Sequence, residues 1–407
     1  MKTPGSVRAV VWATFLLRSG QTASAIMLGL NLARHTNGME VSAATAGVVL
    51  TSSFAVEIVF APVVGLLSDR FGRRPFLIAG PLLGLIAVQF YVLPASLPLI
   101  FAARALEGVG AAAIMPAGLG YMAEKTILSG AGRSRSMAYL EVAILVGIAG
   151  GSVAAGLLWQ RIGVLAFESS AAMYLVAAAL TVLMVREDAR AGGSHLGYKQ
   201  RLLSMLRQPR LATLALAWTF MMGITGLWSN NVVFQMAGRP REGQHLVGGT
   251  SGDQVSFGLA FLAVALVLGT IAWSRLFPYF QRKTHVMLIC QSGTFGACLV
   301  LWGFNHYSDS TNGAQVLFML LLGLAIAVSS GFTPAALSYM ADITDNLATD
   351  RGAIMALYSV FLGIGQLGGG LAGGSFAQAW SLDGLVYLNA ILVAIAILAV
   401  LRLSVQE

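Results

Sequence analysis

The chain has 407 residues, of which 57% are hydrophobic and only 10% charged, with a formal net charge of +8 and a mean hydropathy of +0.77. A soluble domain carries roughly 25% charged residues, so the composition excludes a water-covered globule. It also excludes a nucleic-acid surface, which needs basic residues interleaved with aromatics on a soluble face. What remains is an all-α polytopic membrane protein, because open sheet edges cannot face lipid and the apolar runs lack the period-two alternation of barrel strands.

Runs of about 20 apolar residues, each long enough to cross a hydrocarbon core of roughly 30 Å, predict the helices. In the first half they fall at 10–33, 43–67, 76–95, 97–123, 136–158 and 165–185. In the second they fall at 211–235, 255–276, 285–304, 314–341, 353–378 and 384–403. The expected organisation is thus twelve transmembrane helices: a six-helix bundle over 1–186, a cytoplasmic linker over 187–210 and a second six-helix bundle over 211–407. Within the linker, KQRLLSMLRQ reads as a short amphipathic helix lying at the interface. The TASA of the first span resembles a signal-peptidase site, but Arg18 interrupts the apolar run before it, so the span is read as retained. Cys290 and Cys298 lie about 12 Å apart along one helix, too far to pair with each other.

Basic residues alternate loop by loop. With both termini cytoplasmic, about 19 fall in cytoplasmic segments and about 4 (Arg34, Arg161, Arg239, Arg241) outside, the positive-inside pattern of an inner-membrane protein. That pattern and attraction to anionic lipid account for the net charge.

An internal repeat follows. PAGLGYMAEKT (116–126) aligns with PAALSYMADIT (334–344) at a shift of 218, and roughly 16 of the 41 positions from Pro116 to Gly156 agree without a gap. Gly147, Gly150, Gly151 and Gly156 pair with Gly365, Gly368, Gly369 and Gly374. The chain is therefore read as two parallel repeats, an architecture that places a transporter's substrate path near the midplane.

GLLSDRFGRR (65–74) concentrates charge between two apolar runs. It resembles the loop 2–3 signature of the major facilitator superfamily at Gly65, Leu67, Asp69, Arg70, Gly72, Arg73 and Arg74. RALEGVGAA (104–112) is similar to that family's fourth-helix motif, with Glu107 where the family usually has Gln. GIAGGSVAAG (147–156) resembles its fifth-helix antiporter motif, with Ser152 at the proline position and Ala155 in place of one glycine. The second copy, GQLGGGLAGG (365–374), keeps the glycines and has Gly370 at the proline position. The resemblance implies the twelve-helix facilitator fold of drug:proton antiporters. It implies a cavity-facing Arg104 that takes part in proton handling, and a cytoplasmic lock built on Asp69, Arg70, Arg73 and Arg74. Glu124 and Arg133 are available as partners of that lock.

Ionisable groups inside spans are costly and mark function by default. Arg18, Glu57, Arg104, Glu107 and Glu141 form the expected proton-coupling set. Glu57 leads, roughly 15 Å deep on span 2, with Arg18 at similar depth. A permanent ion pair across spans 1 and 2 is the competing reading for them, and a self-neutralising pair is the competing reading for Arg104 with Glu107. Substrate contacts are expected from Gln21, Trp228, Asn230, Asn231, Phe234, Gln291, Ser330 and Gln366, an aromatic and hydrogen-bonding set suited to an apolar ligand. No P-loop, nucleophile elbow, zinc-binding H-E-x-x-H or dinucleotide fingerprint occurs in supporting context. The expectation is a monomeric transporter, not an enzyme, with no metal or cofactor, whose partners are protons, membrane lipid and a small-molecule or lipid-like substrate. Proton-coupled efflux of amphipathic molecules by alternating access is the leading function. A lipid or glycolipid flippase and a proton symporter for a small solute are the alternatives. A non-transporting receptor would need a signalling domain that the roughly 25-residue linker cannot supply.

Overall fold

A computed structural model of the chain describes residues 5–34, 40–93, 96–125, 130–185, 209–248, 250–307, 312–344 and 351–406. The linker and its amphipathic segment lie almost wholly outside these residues. Every extended element described is helical. In the first half these are α1 (Gly5–Ala33), α2 (Ala43–Phe71), α3 (Arg74–Val92), α4 (Leu97–Lys125), α5 (Gly130–Ile162) and α6 (Phe167–Met184). The second half holds α7 (Pro209–Ala237), α8 (Gly252–Leu276), α9 (Lys283–Tyr307), α10 (Asn312–Ser329), α11 (Phe332–Thr344), α12 (Arg351–Trp380) and α13 (Leu382–Gln406).

Length and apolarity together select ten membrane-crossing segments among the described residues. One of them, Val142–Met184, holds both the end of α5 and α6, and α1, with its buried polar residues and Arg18, is not selected. Large apolar side chains such as Val59, Leu183, Leu268 and Leu299 point outward, an arrangement that a bilayer tolerates and water does not.

By contacts the chain divides into two compact units. Unit 1 comprises Met1–Val41, Val49–Ser194 and Ser251–Ala260; unit 2 comprises Ser42–Val48, His195–Thr250 and Phe261–Glu407. In unit 1, α1 packs on α5 and α6, and α3 on α4 and α6, around a core that includes Val7, Val10, Leu77, Tyr121, Met122 and Leu140. In unit 2, α7 packs on α12 and α13, and α9 on α10, α11 and α13. Trp218, Trp273, Cys290, Phe332 and Val400 belong to its main core.

Two local departures from the sequence reading have physical causes. The charged stretch 65–74 is mostly helix, not loop: α2 runs through Phe71 and α3 starts at Arg74, so only Gly72 and Arg73 turn the chain. Once past the apolar run, Asp69 and Arg70 stay in the helix, and Gly72 stops it with a φ of 95° that favours glycine. The tenth predicted span is broken between α10 and α11. Pro334 has no N–H to offer the Ser330 carbonyl. Gly331 lets the Trp273 ring approach so closely that an added Cβ would lie 2.6 Å from it.

The α7–α8 connection caps one end of unit 2. Arg241 donates to the Ala379 carbonyl (3.1 Å) and to Ser381 Oγ (3.0 Å), and Gln244 donates to the Trp380 carbonyl (2.9 Å). These bonds serve carbonyls that the end of α12 leaves orphaned. Asn305 accepts from the backbone N–H groups of His245 and Leu246 and donates to Asp383 (2.9 Å), which also meets His306 Nε2 at 3.0 Å. The acid sits in the first turn of α13 and the histidine in the last turn of α9, where the helix dipoles favour each sign.

Candidate functional site

Arg104 and Glu107 stand three residues apart on one face of α4, both only 5% exposed. Their ion pair closes at 2.7 Å. Glu107 Oε2 also accepts from the Tyr91 hydroxyl on α3 (2.9 Å), and Oε1 accepts from Ser24 Oγ on α1 (2.8 Å). The other side of Arg104 reaches α2, donating from Nη2 to the Leu50 carbonyl and to Ser53 Oγ (2.5 Å). Four helices thus meet at one polar node, in which only Arg104 Nε lacks a partner among the described residues. Gly108 completes it, because any Cβ there would run into the Ser53 carbonyl. Ser24 and Tyr91 carry no sequence signal of this role: each lies on another helix, and only tertiary packing brings it to Glu107.

Arg18 and Glu57 are arranged differently. Glu57 is half-buried on α2 and forms no hydrogen bond or ion pair among the described residues, though Arg18 is near enough for its charge to act on the carboxylate. Arg18 Nη1 donates to Gln21 Oε1 (3.1 Å), while its buried Nε has no partner among the described residues. The two opposite charges are neighbours and remain unjoined. Gln21, expected among substrate residues, is here the partner of Arg18. The side chain of Glu141 lies outside the described residues.

In unit 2 the expected substrate residues separate into groups. Trp228 is half-buried and donates through Nε1 to Asn389 Oδ1 at 3.4 Å, and the Asn389 amide donates to Cys298 Sγ. Phe234 and Gln366 are also half-buried. Asn230 and Asn231 are buried with their amides committed to helix carbonyls: Asn230 to Gly226 (2.8 Å), Asn231 to Leu227 (3.0 Å) and Gly370 (3.1 Å). Gln291 is 0% exposed, and neither of its polar side-chain atoms has a partner among the described residues. Ser330 returns its hydroxyl to the Ala327 carbonyl (2.8 Å).

Of the expected switch residues, Gly65 lies inside α2, where its carbonyl accepts from Ser68 Oγ (2.8 Å), and Gly72 makes the turn. Arg70 lies over the Phe71 ring at 5.4 Å, and Arg74 donates to the Val182 carbonyl at the end of α6 (2.8 Å). Arg73 is half-buried beside that turn. The side chains of Asp69, Glu124 and Arg133 lie outside the described residues. Among the described residues, no group of three or more His, Cys, Asp and Glu is arranged to hold a metal.

Comparison with known proteins adds three findings. A family model described as "Major Facilitator Superfamily" matches residues 10–239 and 244–407. Multidrug resistance proteins 1 and 2 of Bacillus subtilis (strain 168) are 25% and 24% identical to the chain, each over 83% of it and over 82% and 80% of their own lengths. The class C tetracycline resistance protein of Escherichia coli is 39% identical over 28% of each chain. Among solved structures, a point mutant of the nucleoside transporter NupG superposes with a TM-score of 0.78 at 11% identity, over 98% of this chain and 99% of its own. The POT family transporter PepTSo superposes with a TM-score of 0.77 at 12% identity, over 100% and 98%. At those identities the two superpositions speak to fold alone.

Proposed function

The chain belongs to the major facilitator superfamily and is a multi-pass membrane transporter, and from that premise we propose that it exports amphipathic small molecules in exchange for protons. The observation that carries the coupling is Glu57: an acid within a span, half-buried, bonded to none of the described residues, and beside a cation that does not close on it. Such a carboxylate can take or lose a proton without first breaking a bond. Glu107 differs, since each of its oxygens already faces a donor, so protonating it means rearranging a four-helix node. This favours Arg104 and Glu107 as a brace and Glu57 with Arg18 as the exchanging pair.

Export is favoured over uptake by the two Bacillus relatives, whose names record multidrug resistance and which align over most of the chain. Trp228, Phe234 and Gln366, half-buried with apolar area to offer, are the residues of unit 2 best suited to a flat amphipathic ligand. Asp69 with Arg70, Arg73 and Arg74 would govern the change between access states. The reading places the chain in the inner membrane with both termini cytoplasmic, an orientation that the loop-by-loop alternation of basic residues supports.

Proteoliposomes with an imposed pH gradient test the reading. Ethidium, a fluorescent lipophilic cation, should move against the proton flow, and Glu57→Gln should abolish this gradient-driven accumulation while binding persists. Undiminished accumulation in that variant removes Glu57 from the mechanism. Gradient-independent scrambling of a labelled lipid would favour the flippase instead.

A further inference from the structure

The glycines of α5 do not all face the same way. A Cβ on Gly147 would lie 2.7 Å from the Phe15 carbonyl and 3.0 Å from Arg18 Cβ, and one on Gly151 would strike the Ser19 carbonyl. Gly150, between them, has only Ser19 Oγ near, at 4.0 Å. Two of the three thus seat the one turn of α1 that carries Arg18.

Unit 2 repeats the seat. A Cβ on Gly365 would strike the Thr219 carbonyl and lie 2.7 Å from Met222 Cβ, one on Gly369 would strike Gly223, and Gly368 has open space. The contacts therefore pair Phe15 with Thr219, Arg18 with Met222 and Ser19 with Gly223, each 204 residues apart. A second register follows in the same way. Gly156 abuts Gly252 and Ser256, and Gly374 abuts Ala43 and Gly47, pairing residues 209 apart. On that register Glu57 corresponds to Leu266. The seat that carries Arg18 in unit 1 carries Met222 in unit 2, and along the second register Leu266 stands where Glu57 does.

We propose that Gly147 and Gly151 are positioning residues for coupling: by fixing the Arg18 turn of α1 they set how far the guanidinium stands off from Glu57. This rests on Glu57 as the proton site. The neighbouring charges support the assignment. α4 brings Arg104, whose Nη atoms are committed to Glu107, Leu50 and Ser53; α1 brings Arg18, which meets no acid among the described residues and bonds only Gln21; the α5 acid Glu141 has its side chain outside the described residues. With Arg104 engaged, Arg18 is the cation left to tune Glu57, and a methyl group on α5 shifts its turn.

Ethidium transport by the full-length chain in proteoliposomes, measured across a pH series at fixed pH difference, provides the test. Gly147→Ala should move the midpoint of the rate–pH curve by about half a unit or more, since moving a charge near a carboxyl changes its proton affinity. Gly365→Ala makes the equivalent clash in unit 2, where no charge is seated, and should lower rate or thermal stability while leaving the midpoint in place. Gly150→Ala should change neither. If Gly147→Ala does not fold, Ser19→Gly serves. It copies the glycine that unit 2 uses and removes the Ser19 Oγ bond to the Phe15 carbonyl (2.9 Å), and it too should move the midpoint. An unmoved midpoint in the folded α5 or Ser19 variant overturns the positioning role and leaves the Glu57 reading standing. A wild-type protein without pH dependence, or a Glu57→Gln variant that still couples, overturns both.

Discussion

Glu107 accepts from Ser24, Tyr91 and Arg104, so its substitutions should differ sharply. Glu107→Ala strands Arg104 as a buried cation, which costs about 3–5 kcal/mol and should appear as loss of monodisperse protein or a large fall in Tm. Glu107→Gln can turn its Oε1 toward Tyr91 and Arg104 and donate its amide to Ser24 Oγ, which already lies 3.0 Å from the Gln21 carbonyl. It should therefore retain most of the stability, and equal damage from both changes would show that the network is not the source. Gln291 is the opposite case. Its buried amide has no partner among the described residues, and an unsatisfied buried polar group costs about 1–3 kcal/mol. Gln291→Met, similar in shape and without the amide, should raise Tm in detergent; a lower Tm would mean the amide is used. Both residues were visible in the sequence as polar groups in apolar runs, but nothing local distinguishes one with three donors from one with none.

Among the elements, α5 and α12 show how far the repeat could be read. The glycine series at shift 218 is plain in the sequence, and in three of its four pairs close helix approach leaves no room for a larger residue, Gly150 with Gly368 being the exception. The companion registers of 204 and 209 are not, because Arg18 has become Met222 and Glu57 has become Leu266, and only backbone contacts preserve the correspondence. Those contacts make an element-level prediction. Gly369→Ala would drive a methyl group into Gly223, whereas Gly368 has nothing within 4 Å. The first should cost more than about 2 kcal/mol and the second should stay within about 0.5 kcal/mol, as thermal unfolding of the two variants would report. Similar losses would mean that α7 and α12 pack differently. The 65–74 stretch teaches the converse lesson. Its charge ends the apolar run, whose membrane-crossing segment closes at Gly65, but a helix does not end where an apolar run ends, and it is Gly72, at a φ of 95°, that turns the chain.

At the scale of the molecule, two repeats of one fold have kept the same helix seats and divided the chemistry. Unit 1 retains Arg18, Glu57, Arg104 and Glu107; unit 2 has Met222 and Leu266 at the positions corresponding to the first two. If coupling resides in that difference, giving unit 1 the residues of unit 2 should remove coupling without removing transport. The double variant Arg18→Met with Glu57→Leu takes away both charges together, so no buried ion is left uncompensated, and paired replacement of this kind is often neutral or stabilising. It should therefore fold, bind ethidium and equilibrate it across proteoliposomes down its own gradient. An imposed pH difference should no longer cause accumulation, because the exchangeable proton has lost its carrier. Arg18→Met alone should be worse folded than the double variant, since it leaves Glu57 without its neighbouring cation. Accumulation that survives in the double variant would place the coupling proton elsewhere in the chain, with Glu107 and Glu141 the carboxylates then to be tested.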